Sequence, residues 1–337
     1  MQYAPRHGCT NNEYLLTYNV MKLGDIAFEG NRNKRFPFGR FVENMIGEGI
    51  VSHVFSVYRP IVKQSSLLFL KYYVNNDYVI RNMLRKSTIA ATMMRTLVDA
   101  DLMRQTLTLP SGREQEKIGK LFVDIDNLID AEKRKLELLE KKREELLQCV
   151  FSQRLRLNGC TEDCPQYSLA ELEMNGDIHM GRGKVISAIQ MKKNPGIYPV
   201  YSSSSKNNGE MGRYGEYMFD HELVTWSIDG GGHVFYRAKH RFSITNVCGY
   251  IQVRNNIDCS FLAYQMMFKH SKLHFDYTSK ALPSLIKNMY DLSMPSLYEQ
   301  ERIGRLFKVF DSLIEFISHK IELTEQKKKA LLQTMFL

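Results

Sequence analysis

A long internal repeat sets the plan of this chain. LPSGREQEKIGKLFVDIDNLIDAEKRKLELLEKKREELLQCVF, from Leu109, recurs 185 residues later as MPSLYEQERIGRLFKVFDSLIEFISHKIELTEQKKKALLQTMF, from Met294. Of the 43 paired positions 21 are identical, among them Pro110/Pro295, Gln115/Gln300, Gly119/Gly304, Phe122/Phe307 and Asp126/Asp311. Each copy opens on Pro-Ser with Glu three positions on, a helix-start signature in which serine caps free amides and proline blocks extension backwards. Apolar residues then follow three-four spacing. In the first copy the stripe is Ile118, Leu121, Ile125, Leu128, Leu136, Leu139, Leu146 and Val150, interrupted by Glu132 and Arg143; in the second it is Ile303, Leu306, Phe310, Leu313, Ile317, Ile321, Leu331 and Met335. At 1.5 Å per residue either helix would be about 60 Å long, and neither can bury its stripe alone. One helix could pack on its adjacent globular segment, but two matched stripes are best satisfied by each other, antiparallel if the chain folds back.

The spacing of the copies divides the 337 residues into segments 1–108, 109–151, 152–293 and 294–337. With 44% hydrophobic residues the chain can build real cores. Its formal charge is +9, yet residues 109–151 carry 9 Lys/Arg against 10 Asp/Glu and residues 294–336 carry 7 against 6. The whole positive excess therefore belongs to the two globular segments, where a polyanion would bind. The six cysteines lack framework spacing, and neither a signal peptide nor a run of the roughly 20 apolar residues needed to cross a bilayer is seen. A reducing cytoplasm, without membrane association, is the expected setting.

The globular segments share a layout. Gly24-Asp25-Ile26 and Gly176-Asp177-Ile178 open them, each followed by glycine and basic residues. Strand-like stretches follow at Ile50 to Tyr58, Leu223 to Ile228, His233 to Tyr236 and Val247 to Val253, then helical pieces at Leu67 to Val74 and Phe261 to Phe268. Mixed α/β domains with irregular loops are expected. Candidate nucleic-acid contacts cluster in those loops: Arg32, Asn33, Lys34 and Arg35 beside Asn31 in the first segment, and Ser203, Ser204, Lys206, Asn207, Asn208, Arg213 and Tyr214, beside Tyr201, Ser202 and Ser205, in the second. Arginine and lysine neutralise phosphates and fork onto guanine, asparagine matches adenine, and hydroxyls serve either edge. Each residue taken singly also reads as part of an ordinary solvated loop.

Catalytic patterns are missing. Asn194-Pro195-Gly196 lacks the second proline of an amino-methyltransferase motif. Gly176 to Lys184, GDIHMGRGK, fails the Lys and Ser/Thr positions of a phosphate-cradling loop. Asp229-Gly230-Gly231-Gly232 is explained by a turn between strands. Cys160 and Cys164 have no second pair at zinc-site spacing, and His179 alone does not complete one. Trp226 and the tyrosines read as core before base-stacking platforms.

The alternation of variable segment, EQ-containing long helix, second variable segment and second EQ-containing helix resembles the specificity subunit of type I restriction-modification systems. The resemblance covers essentially the whole chain and rests on LPSGREQEKIG, MPSLYEQERIG and their helices, with YPVYSSSSKNNGEMGRYGEY, VTWSIDGGG and ITNVCGYIQV. It implies an α+β fold of two target-recognition domains, 1–108 and 152–293, separated by two long antiparallel coiled-coil spacer helices, 109–151 and 294–337. It implies a non-catalytic subunit whose partners are double-stranded DNA, methyltransferase subunits and, indirectly, the restriction/translocase subunit. No cofactor is expected on this chain; S-adenosylmethionine, ATP and Mg would sit on those partners. At 108 residues against 142 the first segment departs from the family pattern, and Met1 to Thr17 look unlike a usual domain opening, so a trimmed or different first domain is expected. The competing reading is a coiled-coil scaffold without sequence-specific DNA binding.

Overall fold

The computed structural model describes residues 16–61, 66–91, 94–156, 164–204, 206–229, 232–254, 256–273 and 280–336. It divides into two units, Met1–Lys135 with Ile317–Leu337, and Leu136–Phe316. The long helices α4 (Gly112–Phe151) and α9 (Leu297–Thr334) each contribute one end to either unit.

In the first unit β2 (Ile26–Glu29) is the centre of a three-stranded antiparallel sheet, flanked by β3 (Arg40–Glu43) and β5 (Ser56–Tyr58). Short ladders pair β1 (Asn19–Met21) with β4 (Gly49–Val51) and β6 (Thr88–Ala90) with β7 (Arg95–Leu97). The stretch expected as one strand from Ile50 to Tyr58 is thus two, because a turn closed by Phe55 N–H on Ser52 O (3.0 Å) lets the chain leave one ladder and join another. Helices α1 (Leu67–Tyr73) and α2 (Asp77–Ser87) begin at Ser66 and Asn76, whose side chains accept from Phe69 N–H and Tyr78 N–H; a single turn, α3 (Asp99–Leu102), follows. Phe28 and Phe41 from the sheet meet Phe69, Leu70, Tyr73, Ile80 and Leu84 from the helices, with Ile118 of α4 and Phe336, just past the end of α9, packed on that core. Asp25, buried at the mouth of β2, is clamped by Arg59 through bonds of 2.7 and 2.6 Å, which hold its carboxyl below the usual range.

The second unit opens with β8 (Gln166–Tyr167) and α5 (Leu169–Met174). Its main sheet has the order β13-β12-β15-β9, formed by Val234–Arg237, Leu223–Ser227, Cys248–Val253 and Ile178–Arg182. A smaller sheet of β11 (Glu210–Tyr214), β10 (Tyr198–Tyr201) and β14 (Ser243–Ile244) lies in the same unit, with α6 (Ala188–Lys193) packed on β11. All five residues of β12 are buried. α7 (Cys259–Ser271) packs on β12 and β13 and is buried nearly all round, so its apolar residues show no one-sided stripe. Trp226 is core: its Nε1–H donates to Ala281 O (2.8 Å), and a Cβ on Gly249 would fall 2.1 Å from its ring. α8 (Pro283–Ile286) and β16 (Leu292–Ser293), paired with β8, lead into α9.

The duplication extends to individual bonds. Gln115 donates to Pro110 O (2.9 Å) and accepts from Ser66 N–H (3.0 Å); Gln300 donates to Pro295 O (2.8 Å) and accepts from Asp258 N–H (3.1 Å). Ser66 and Asp258 are the N-caps of α1 and α7, so each EQ glutamine ties a long helix to the start of its domain's helix. About three turns on, Asp126 accepts from Tyr72 (2.7 Å) and Asp311 from Tyr264 (2.6 Å). Lys328 closes the first pair and Arg143, its repeat equivalent, the second. Phe122 stacks with Phe336 in one unit and Phe151 with Phe307 in the other, at 5.7 and 5.8 Å. In each unit the start of one helix therefore meets the end of the other, and α4 and α9 pair antiparallel. Lys133 with Glu325 (2.7 Å), both exposed, and Lys320 with the half-buried Glu132 (2.6 Å) add charge pairs. The starts differ. Glu114 caps Ser111 as its spacing predicts, whereas Glu299 is buried and held by Arg156 at 2.6 Å.

The apolar seam lies one residue away from part of the expected stripe. Leu121, Leu128 and Leu313 are 39%, 45% and 44% exposed, while Phe122, Ile129 and Phe307 are buried. The helix face against the domains carries Gln115, Gly119 and Asp126 and their equivalents, and that polar face, invisible to hydropathy, sets the phase. Ile303, Ile317 and Ile321 are buried, and Ile118, Ile125, Leu136, Leu139, Leu306 and Phe310 half-buried.

Candidate nucleic-acid interface

The first candidate cluster occupies the loop between β2 and β3. Arg95 N–H donates to Gly30 O (2.8 Å) at its base, where a Cβ on Gly30 would lie 2.0 Å from Arg95 O. The Asn33 carboxamide accepts from Arg35 N–H (2.9 Å) and Phe36 N–H (2.8 Å), folding a tight turn. Residues 31–35 are all exposed, Arg35 lies over Phe36 at 5.0 Å, and Arg32 and Lys34 make no hydrogen bond or ion pair with described residues. Arg40, over the same ring, is neutralised by Glu29 at 2.6 Å. The positive charge of this loop is thus carried outward by Arg32, Lys34 and Arg35.

The second cluster is the turn from β10 into β11. Ser202 N–H donates to Gly209 O (2.8 Å), and Ser227 Oγ–H to Ser203 O (3.0 Å). Asn207, Asn208 and Gly209 are left-handed in succession, with φ of 50°, 51° and 80°. Ser203, Ser204, Asn207 and Asn208 come together in this turn, and Asn207 and Asn208 are exposed. Arg213 and Tyr214 follow on β11. Arg213 is not a free cation: it bonds Ile197 O (3.1 Å) and pairs with Glu210 (3.3 Å). Tyr214 is half-buried opposite Tyr198. Ser205 and the Lys206 side chain lie outside the described residues, as do Met1 to Leu15, Cys160, Gly230 and Gly231.

Sequence reasoning missed the support beneath this turn. Arg237, 2% exposed, donates to Thr225 Oγ1 (3.0 Å) and Asn208 O (2.8 Å), and its guanidinium lies 3.8 Å from the Tyr201 ring centre and 4.6 Å from that of Phe235. Burial pulls its pKa down to about 10. Hydropathy gave no hint that a charged strand residue would be buried. Also missed was the local charge around the turn: residues 179–214 carry six Lys/Arg, among them Lys184, Lys192 and Lys193, and one acid, Glu210. Counting charge over windows shorter than a whole segment would have found it. The described residues hold no group of three potential metal ligands and no helix long and apolar enough to cross a membrane.

These features place the chain among known proteins. The model of the type I restriction modification DNA specificity domain matches residues 174–326. A Mycoplasma pneumoniae polypeptide assigned as the N-terminus of a type I specificity subunit is 41% identical over 135 residues, 38% of this chain and 71% of that one. Another from the same organism is 28% identical over 267 residues, 76% of this chain and 90% of the relative. In fold, the chain resembles the crystal structure of the type I restriction-modification S subunit from M. genitalium, with a TM-score of 0.65 at 15% identity, over 95% of this chain and 84% of the other. The HsdS subunit from Thermoanaerobacter tengcongensis follows at 0.51 and 17%, over 94% and 81%. With a relative this similar over most of its length, and a duplicated helix-and-domain plan to match, the chain belongs to the type I restriction-modification specificity subunits.

Proposed function

We propose that the domains of residues 1–108 and 152–293 each read one half of a bipartite DNA site, while the helices of residues 109–151 and 294–337 set the spacer and dock methyltransferase subunits. The observation that carries this reading is the repeated junction: the same glutamine, aspartate, tyrosine and phenylalanine contacts fix each domain to its long helix. Two readers mounted alike suit a site with two halves. Apolar side chains left exposed at matching positions, Leu128 with Leu313 and Leu138 with Leu323, support docking of the same partner on both copies. Specificity subunits are non-catalytic components; in this reading S-adenosylmethionine, ATP and Mg reside on the methyltransferase and restriction/translocase subunits.

Single-molecule sequencing of genomic methylation gives the site, and retardation of duplexes carrying both halves, with and without methyltransferase subunits, tests its recognition. Affinity is expected to fall steeply with salt and to weaken when Arg32, Lys34, Lys206 and Arg213 are replaced by alanine. Binding that ignores salt, or that survives those replacements unchanged, would leave only a scaffold.

A further inference from the structure

Arg237 is a costly residue to keep. A guanidinium withdrawn from water needs a partner, and a carboxylate is the usual one. Among the described residues the partners are a threonine hydroxyl, the Asn208 carbonyl and two aromatic rings, with no acid. The turn above is costly too. Asparagine enters the left-handed region more readily than other non-glycine residues but still at a cost relative to glycine, and Asn207 and Asn208 occupy it in succession. Only the third position is glycine, and there a Cβ would stand 3.1 Å from Ser202 O and 3.2 Å from Arg237 Nη2. The two costs meet at one bond, from Arg237 Nη1 to Asn208 O (2.8 Å). The asparagine side chains themselves are exposed and make no hydrogen bond with described residues, so their donors and acceptors are uncommitted.

We propose that Arg237 is a positioning residue for sequence reading: from beneath, it locks Asn207 and Asn208 in the left-handed turn that offers both carboxamides to base edges of the second half-site. It touches no DNA. Paired with an acid it would be neutral toward a duplex; unpaired, it also adds positive charge under a loop that approaches phosphates. A carboxamide can bond two edge groups of adenine at once, but only from a fixed backbone.

This inference rests on the half-site reading above, and the test separates the two. The full chain, assembled with its methyltransferase subunits, is titrated with the methylome-derived site and with duplexes altered in the first or second half. If the parent protein ignores both alterations, the half-site reading itself fails. Given discrimination, Arg237→Met is expected to lose about tenfold or more of it in the second half and none in the first. Arg237→Lys keeps part of it. Adding Asn207→Ala and Asn208→Ala to Arg237→Met costs little more, because both changes remove one device. Additive losses, or equal weakening on all duplexes, overturn the proposal. Should Arg237→Met fail to fold, Gly209→Ala strains the same turn and is expected to erase second-half discrimination; unchanged discrimination there overturns the proposal equally.

Discussion

Glu43 ends β3 with its side chain on the same face as Phe41, pointing into the first unit. The residue is 5% exposed, neither carboxylate oxygen finds a hydrogen-bond donor among the described residues, and burial pushes its pKa up to about 8 despite Lys71 nearby. The folded state therefore holds its proton through a range where the unfolded chain, near 4.5, has released it. Stability is fully present below the unfolded value and falls as pH rises toward the folded one, by at most roughly 1.4 kcal/mol per pH unit. Denaturant titrations at pH 5, 7 and 9 are expected to show that decline, and Glu43→Gln is expected to flatten it and be the more stable protein at pH 9. A parallel decline in the variant would mean that other groups cause it. Nothing in the sequence flagged Glu43, since a glutamate in a strand ordinarily faces water. Asn33 was read as a candidate nucleic-acid contact, whereas its carboxamide oxygen is committed to the loop's own turn, accepting from amides two and three residues on, a local pattern that the reading passed over.

The elements were legible where their pattern is local. α4 starts at Gly112, just beyond Pro110 and Ser111, and runs to Phe151 as its repeat predicts. The phase of its buried face was not, because Gln115, Gly119 and Asp126 count against burial on any hydropathy scale. Gly119 and Gly304 show why small residues stand there. A Cβ at Gly119 would come 2.6 Å from Phe69 N and 2.9 Å from the Leu68 carbonyl carbon, both backbone of α1's first turn. At Gly304 the nearest atoms are Ser260 Oγ (2.2 Å) and Asp258 Oδ1 (2.4 Å), with backbone at 3.2 Å. Alanine at either site forces helix and domain apart. Gly119→Ala, which meets immovable backbone, is expected to destabilise by about 2–3 kcal/mol, and Gly304→Ala by less, because side chains can turn away. Thermal melting of the two variants checks the order; equal or absent losses would mean that the close approach is not what glycine serves.

At the scale of the whole molecule the repeat made the plan readable, and the even charge of the two copies assigned the basic surplus to the domains before any fold was known. Which bases are read was not readable, since that depends on loop conformations such as the one Arg237 holds. The length of the paired helices is the quantity most open to change without touching either reader. Lys135 and Lys320 are repeat equivalents, and Lys320 lies opposite Glu132 in the antiparallel pair. Four extra residues after each would lengthen both helices at one level by about 6 Å. They would also turn each seam by only about 40°, because 3.6 residues complete a turn, so most apolar contacts can re-form. An insertion in one helix alone would slip the pairing and break the Phe122–Phe336 or Phe151–Phe307 stack. With base pairs about 3.4 Å apart along the duplex, the double insertion is expected to lengthen the methylated site's spacer by one or two base pairs and leave both half-sites unchanged. Methylome sequencing of cells carrying the lengthened protein reads this directly. An unaltered spacer would show that the distance between the half-sites is set elsewhere in the complex, and altered half-site bases that the helices and readers are not independent parts.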